Sequence, residues 1–160
     1  MGVQTFTVNS SSGAPVNLAE YREKVLLIVN TASGCLFASQ FKGLEALHQE
    51  FNSKGLEILA FPCNQFGSQE SRNADEIETY CESKYGVSFP LFAQVEVNGI
   101  QADPLFKYLK RAAPGLLGSV GIKWNFTKFL IKKDGTPYKR YAPHTTPEAI
   151  ANDIRTLLKE

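Results

Sequence analysis

VLLIVNTASGCLFASQFKGLEALHQEFNSKGLEILAFP, residues 25–62, reads as strand, helix, strand. Val25-Leu26-Leu27-Ile28-Val29 is a short apolar block of the kind that packs as a fully covered strand. Phe41, Leu44, Leu47 and Phe51 then recur at helical spacing, and Lys54-Gly55 supplies a basic last turn and a glycine stop. Leu56-Glu57-Ile58-Leu59-Ala60-Phe61 is a second buried strand, closed by Pro62, which has no N–H to give to a ladder. A crossover of that length implies a parallel pair. Cys35 falls where the first strand ends and the helix begins. A thiol there meets unpaired backbone N–H groups and the positive end of the helix dipole, and both favour the reactive thiolate. A small buried hydrophobe is the other common fate of an unpaired cysteine, and position alone fits the two equally.

Outward from this stretch, strands and helices continue to mix. Thr5 to Val8 and Val16-Asn17-Leu18 flank Ser10-Ser11-Ser12-Gly13, which predicts an N-terminal β-hairpin. Cys63 to Arg72 is a long polar loop. Asn73 then offers an N-cap with Glu76 three residues on, and Ile77, Tyr80, Cys81 and Tyr85 share one helical face, so Cys81 is expected to face the core. Val87 to Phe92 reads as another strand, Pro104 to Leu109 as a short helix, and Pro114 to Gly121 as a glycine-rich turn region. Phe126 to Ile131, Asp134-Gly135 and Tyr138 to Tyr141 form a hairpin pattern, Asp-Gly supplying the positive φ angles of a tight turn. Thr146 caps a last helix that starts at Pro147 and buries Ile150, Ile154, Leu157 and Leu158. This order predicts an α/β protein with a central sheet flanked by helices.

At 160 residues and 43% hydrophobic composition the chain suits one core, and a single domain over residues 1–160 is expected. Seventeen basic residues against sixteen acidic ones leave a net charge of +1, with no basic run longer than Lys132-Lys133, which argues against a nucleic-acid partner. Met1 to Ser12 is polar and lacks the pattern of a secretory signal, and no segment approaches the ~20 apolar residues of a membrane span. A soluble, cytoplasmic protein without stable membrane insertion is expected. Three cysteines without a Cys-x-x-Cys pair suit neither a disulfide framework nor a zinc site, and no metal or cofactor is expected. His48, on the exposed side of the first helix pattern, and His144, in the loop before the last helix, have no ligand partners in the pattern.

Three blocks narrow the function. Asn30-Thr31-Ala32-Ser33-Gly34-Cys35 followed by Gln40-Phe41-Lys42-Gly43-Leu44 resembles the active-site segment of glutathione peroxidases. Phe61-Pro62-Cys63-Asn64-Gln65-Phe66-Gly67-Ser68-Gln69-Glu70 and Lys123-Trp124-Asn125-Phe126-Thr127-Lys128-Phe129-Leu130 are similar to that family's other two signature blocks. Three long blocks in order are far more specific than one short motif. The resemblance implies a thioredoxin-like fold with a central mixed sheet, and reduction of hydrogen peroxide and organic or lipid hydroperoxides. It makes Cys35 the peroxidatic residue, with Gln69, Trp124 and Asn125 completing the catalytic tetrad. Their chemistry fits: attack of a thiolate on a peroxide oxygen moves negative charge onto the departing oxygen, and an indole N–H and two carboxamides donate while staying neutral. Without the resemblance, Trp124 reads as packing and Gln69 as a solvated loop residue.

The resemblance also places a resolving cysteine at Cys81, which would condense with a Cys35 sulfenic acid to give a Cys35–Cys81 disulfide. It implies recycling by thioredoxin or a similar dithiol protein, with glutathione the weaker candidate. A core-facing Cys81 cannot come within the ~7 Å Cα separation a disulfide needs unless its helix moves, so local unfolding around residues 73–84 is expected on oxidation. Cys63 is expected to pack beneath the site. Relatives commonly read Cys-Gly-Phe-Thr where this chain has Cys35-Leu36-Phe37-Ala38, and often carry lysine at the Gly34 position. Leu36 is expected to remove backbone freedom at a tight turn, Ala38 a hydroxyl near the sulfur, and Gly34 a local positive charge. The short Leu109–Trp124 connection lacks the insertion of tetrameric relatives, which implies a monomer. A peroxide sensor or redox relay that passes the disulfide to a client protein is the alternative, and a catalytically silent binding module a third reading.

Overall fold

The structure, a computed structural model, describes residues 2–70 and 72–160. In chain order the elements are β1 (Thr7–Asn9), β2 (Pro15–Asn17), β3 (Val25–Thr31), α1 (Gln40–Phe51), β4 (Leu56–Pro62), α2 (Ala74–Tyr85), α3 (Pro104–Ala112), β5 (Lys128–Ile131), β6 (Pro137–Tyr141) and α4 (Pro147–Leu158). The first two strands form the N-terminal hairpin, with Val8 opposite Val16. The central sheet runs β4-β3-β5-β6. Its β3–β4 pair is parallel, from Val25 opposite Leu56 to Thr31 opposite Pro62, and the other two pairings are antiparallel. The sheet is therefore mixed, as expected, and all seven residues of β3 are buried.

Period-two alternation sends successive residues to opposite faces, and each face has its own apolar cluster. Val25, Leu27 and Val29 of β3, with Leu56 and Ile58 of β4, meet Phe41, Leu44, Leu47 and Phe51 of α1, Ile77 and Cys81 of α2 and Ile150, Ile154 and Leu157 of α4. Leu26 and Ile28 with Leu59 and Phe61 meet Leu105, Phe106 and Leu109 of α3 and the N-terminal Val3, Val8 and Leu18. Trp124 packs against both clusters at their common edge.

Two sequence expectations change. Val87 to Phe92 is not a strand: it meets the sheet edge through one isolated bridge, Leu91 with Ala60, while Phe92 bridges to Ser10 of the hairpin loop. Pro90 has no N–H, so only its carbonyl engages, accepting from Ala60 N at 3.3 Å, and a ladder cannot propagate through it. The strand expected from Phe126 starts at Lys128, because Phe126 has φ +66° and breaks the extended run. The polar loop expected over 63–72 is present in its described residues, and Ser71 lies outside them.

Candidate active site

Parallel strands deliver their carboxyl ends to one edge, where ligands of open α/β sheets bind. β3 ends in buried Asn30 and Thr31, and β4 leads into Cys63, whose N–H donates to the Thr31 carbonyl at 2.8 Å. Asn30 pins the approach to β5: its Nδ2 donates to the Trp124 carbonyl at 3.3 Å, and its own carbonyl accepts from Phe126 N at 2.6 Å. Thr127 Oγ1 donates to the same Trp124 carbonyl at 3.0 Å. The left-handed Phe126 thus belongs to a braced turn that holds Trp124 and Asn125 at the strand end.

Cys35 caps a 3-10 turn over Leu36–Ser39, and α1 continues from it at Gln40, so the helix begins as a tighter coil than the sequence pattern suggests. Its Sγ accepts the Phe37 N–H at 3.3 Å, an N-cap contact that places a backbone donor on the sulfur. Cys35 as a residue is 6% exposed and belongs to the buried cluster on this face of the sheet. Leu36 has no positive φ, so the turn does not need the freedom of glycine there, and its side chain is 94% exposed beside the nucleophile. Ala38 is buried in the same cluster as Cys35.

The other site residues converge through the polar loop. Gln69 Oε1 accepts from Asn125 Nδ2 at 3.3 Å, and the Gln69 carbonyl accepts from Gly34 N at 2.9 Å, one residue from the thiol. Asn125 is fully buried, and its Oδ1 has no partner among the described residues. The Trp124 ring lies 5.7 Å from Phe66 and close enough to Gly67 that a Cβ there would stand 3.3 Å from it. Gly67 adopts φ +68°. The structure therefore ties Gln69 directly to Asn125 and to the Cys35 turn, and sets Trp124 against the cluster that contains Cys35. Cys81 belongs to that cluster on α2, fully buried and unpaired. Burial first, then the Glu70 carboxylate, pushes its thiol up to about 12, with Arg72 acting in the opposite direction. Cys63 is buried too, its Sγ 3.7 Å from Gln65 Oε1, and burial raises its thiol as well.

Two groups went unnoticed in the sequence. Glu70 is 1% exposed, and its two oxygens accept from Ser33 N at 2.8 Å and Ser33 Oγ at 2.6 Å, clamping the turn two residues before Cys35. Burial raises this carboxyl, and the Ser33 bonds oppose that shift. A glutamate in a polar loop carries no periodic signal of burial. Lys128 is fully buried, its Nζ donating to the carbonyls of Ala142, Pro143 and Thr145 at 3.4, 2.9 and 2.5 Å. Alternation could have found it, because Lys128 shares a strand face with Leu130. His48 is half-buried, its ring edge on Phe89 at 6.1 Å, where the helix pattern placed it on the exposed side. Among the described residues no group of three or more His, Cys, Asp or Glu is placed to hold a metal ion, and no helix is long and apolar enough to cross a membrane.

A thiol at a helix start, a Gln69–Asn125 pair whose loop backbone is bonded to the turn just before that thiol, and a tryptophan on the strand-end turn that carries Asn125 make up the candidate site on a thioredoxin-type sheet. The glutathione peroxidase family model matches residues 3–110, and curated relatives extend the match past the Trp124 turn. A hydroperoxy fatty acid reductase of Synechocystis sp. is 51% identical over 96% of this chain and 94% of its own length. A glutathione peroxidase-like peroxiredoxin of Saccharomyces cerevisiae is 47% identical over 92% of this chain and 91% of its own. The crystal structure of the apo form of Trgpx superposes with a TM-score of 0.85 at 40% identity, covering 100% of this chain and 97% of that one. A thiol:disulfide interchange protein of Chlorobium tepidum, 14% identical, shares the fold with a TM-score of 0.70 over 99% of this chain and 96% of its own. The chain belongs to the glutathione peroxidase family and is a thiol peroxidase.

Proposed function

We propose that the protein reduces hydrogen peroxide and organic or lipid hydroperoxides through Cys35, with Gln69, Trp124 and Asn125 as donors around the reacting atoms. The Cys35 sulfur takes the terminal peroxide oxygen as the O–O bond breaks. The sulfur is oxidised to sulfenic acid, and the remaining oxygen leaves with a proton as alcohol or water. The bond between Asn125 Nδ2 and Gln69 Oε1 carries this reading. It occupies the acceptor end of Gln69 and leaves its NH2 end to donate toward developing negative charge, the preorganised arrangement that charge stabilisation requires. The lipid side of the substrate range is supported by the Synechocystis relative, named for hydroperoxy fatty acids.

The second half of the cycle is a Cys35–Cys81 disulfide, reopened by thioredoxin or a similar dithiol protein in preference to glutathione. The protein acts as a monomeric single domain in a reducing compartment such as the cytoplasm, consistent with three unpaired thiols. Peroxide turnover compared with thioredoxin and with glutathione, for wild type, Cys35→Ser and Cys81→Ser, tests the cycle. Turnover with thioredoxin that vanishes in both variants is the expected result. Thioredoxin turnover retained by Cys81→Ser would overturn the two-cysteine route and leave the nucleophile in place.

Buried Cys81, with its thiol held up to about 12, favours a second reading. A slow resolving thiol prolongs the life of the sulfenic acid, which suits a relay that hands oxidation to a client protein. Mixed disulfides with client proteins and little thioredoxin turnover would mark that role.

A further inference from the structure

Of the helices packed on the Cys35 face of the sheet, α2 is the least anchored. It buries Ile77 and Cys81, whereas α4 buries Pro147, Ile150, Ile154 and Leu157. Its C-terminal end is held by Tyr85, whose ring lies 5.4 Å from Phe41 of α1, and it stops at left-handed Gly86. On the hairpin side Ser11 Oγ donates to the Glu78 carboxylate. Toward the nucleophile, beyond the apolar packing of Ile77 and Cys81, a polar link among the described residues runs through the Arg72 side chain. Arg72 Nη1 donates to Ser33 Oγ at 2.9 Å, and its guanidinium carbon sits 3.9 Å from the centroid of the Tyr80 ring. Ser33 is clamped by Glu70 two residues before Cys35, and Tyr80 immediately precedes Cys81. Lys84 also faces the Tyr80 ring, at 5.3 Å, but it rides on α2 itself.

We propose that Arg72 is the latch of the resolving step: it joins the Cys35 turn to α2 through Ser33 and Tyr80, and its release sets how fast Cys81 reaches oxidised Cys35. This rests on the two-cysteine cycle proposed above. In that step the Cys81 sulfur displaces the hydroxyl of the sulfenic acid. An S–S bond forms, the S–O bond breaks, and the thiol proton leaves with the hydroxyl as water. While α2 is docked, burial and Glu70 keep Cys81 protonated as well as enclosed. Undocking returns the thiol toward the ordinary value of about 8.5, so one movement both delivers it and makes its proton easier to lose. Arginine suits the latch because its planar group can stack on an aromatic face and donate in its own plane at the same time.

The test separates the two chemical steps in the intact protein. After a pulse of hydrogen peroxide, quenched samples are followed by mass spectrometry for Cys35 sulfenic acid and for the Cys35–Cys81 disulfide. Arg72→Ala and Tyr80→Leu are expected to form the disulfide about tenfold faster, equivalent to about 1.4 kcal/mol, with Cys35 oxidation unchanged. The double variant should be no faster than either single one, because both remove the same contact. Tyr80→Phe keeps the ring and should match wild type, while Arg72→Lys should behave as the alanine variant. Unaltered disulfide rates in Arg72→Ala and Tyr80→Leu, or multiplied effects in the double variant, would overturn the latch. Absence of the disulfide in wild type would overturn the two-cysteine cycle itself, and the latch with it.

Discussion

A Cβ at Gly34 would stand 2.7 Å from the Gln69 carbonyl oxygen, closer than real Cβ contacts come. The position that reads as a missing lysine is therefore where the backbone of the Cys35 turn meets the backbone of the Gln69 loop. Gly34→Lys should slow Cys35 oxidation by hydrogen peroxide about 10- to 100-fold, the scale of loss that follows a displacement of about 1 Å in a reacting geometry. Gly34→Ala should fall in the same direction, since the obstruction is the Cβ. If charge dominated, the lysine variant would be faster than wild type and only the alanine variant slower. Asn125→Ala, which frees the Gln69 amide to rotate, should lower the same second-order rate about 100-fold. Gln69, Trp124 and Asn125 were legible through ordered blocks of residues. Glu70 was not, since a charged side chain in a loop signals burial only through a partner distant in sequence, here Ser33, while Lys128 was marked only by its place on the Leu130 face of a short strand, with the 142–145 carbonyls that satisfy it out of sight.

Among the elements, α2 has its N-terminus set by chemistry that the sequence states openly. Asn73 Oδ1 accepts from Glu76 N at 2.9 Å and Glu76 Oε1 accepts from Asn73 N at 3.0 Å, a reciprocal capping box. With few buried apolar residues behind it, the helix depends on this cap. Asn73→Ala should destabilise it by about 1 kcal/mol, seen as hydrogen exchange about fivefold faster in the 74–81 amides while those of α1 are unchanged. Equal protection in variant and wild type would show that packing alone holds the helix. Oxidised protein should likewise lose protection over 73–84 relative to reduced protein. The β-α-β unit was legible because apolar period and glycine stop agree there, whereas the extended run over 87–92 misled because its apolar residues serve packing, while Pro90 denies them a ladder.

For the molecule as a whole, Lys128 and Cys81 give stability opposite dependences on pH. Burial pulls the Lys128 ammonium down to about 7 in the fold, against about 10.4 in an unfolded chain. From pH 7 upward the unfolded chain binds more protons at this group, so folding stability should rise with pH. Cys81 is held protonated to about 12, whereas an unfolded thiol ionises near 8.5, so its contribution falls as pH rises above that value. The clean window is pH 7 to 8.5. There the wild-type urea midpoint should climb, and Lys128→Met should flatten the climb. An equal slope in that variant would place the proton linkage elsewhere.

The proline-interrupted segment beside β4 has a further consequence. An edge strand with free N–H and C=O groups invites pairing with another chain, and undocking of α2 would bare apolar surface on the same side of the molecule. Here Ala60 N donates to the Pro90 carbonyl, Phe92 N to the Ala60 carbonyl at 2.9 Å, and Val95 N to the Pro62 carbonyl at 2.9 Å. The rim is covered by chain that cannot itself be extended into a ladder. An opening of α2 of the kind proposed would therefore leave this rim closed to pairing with a second chain.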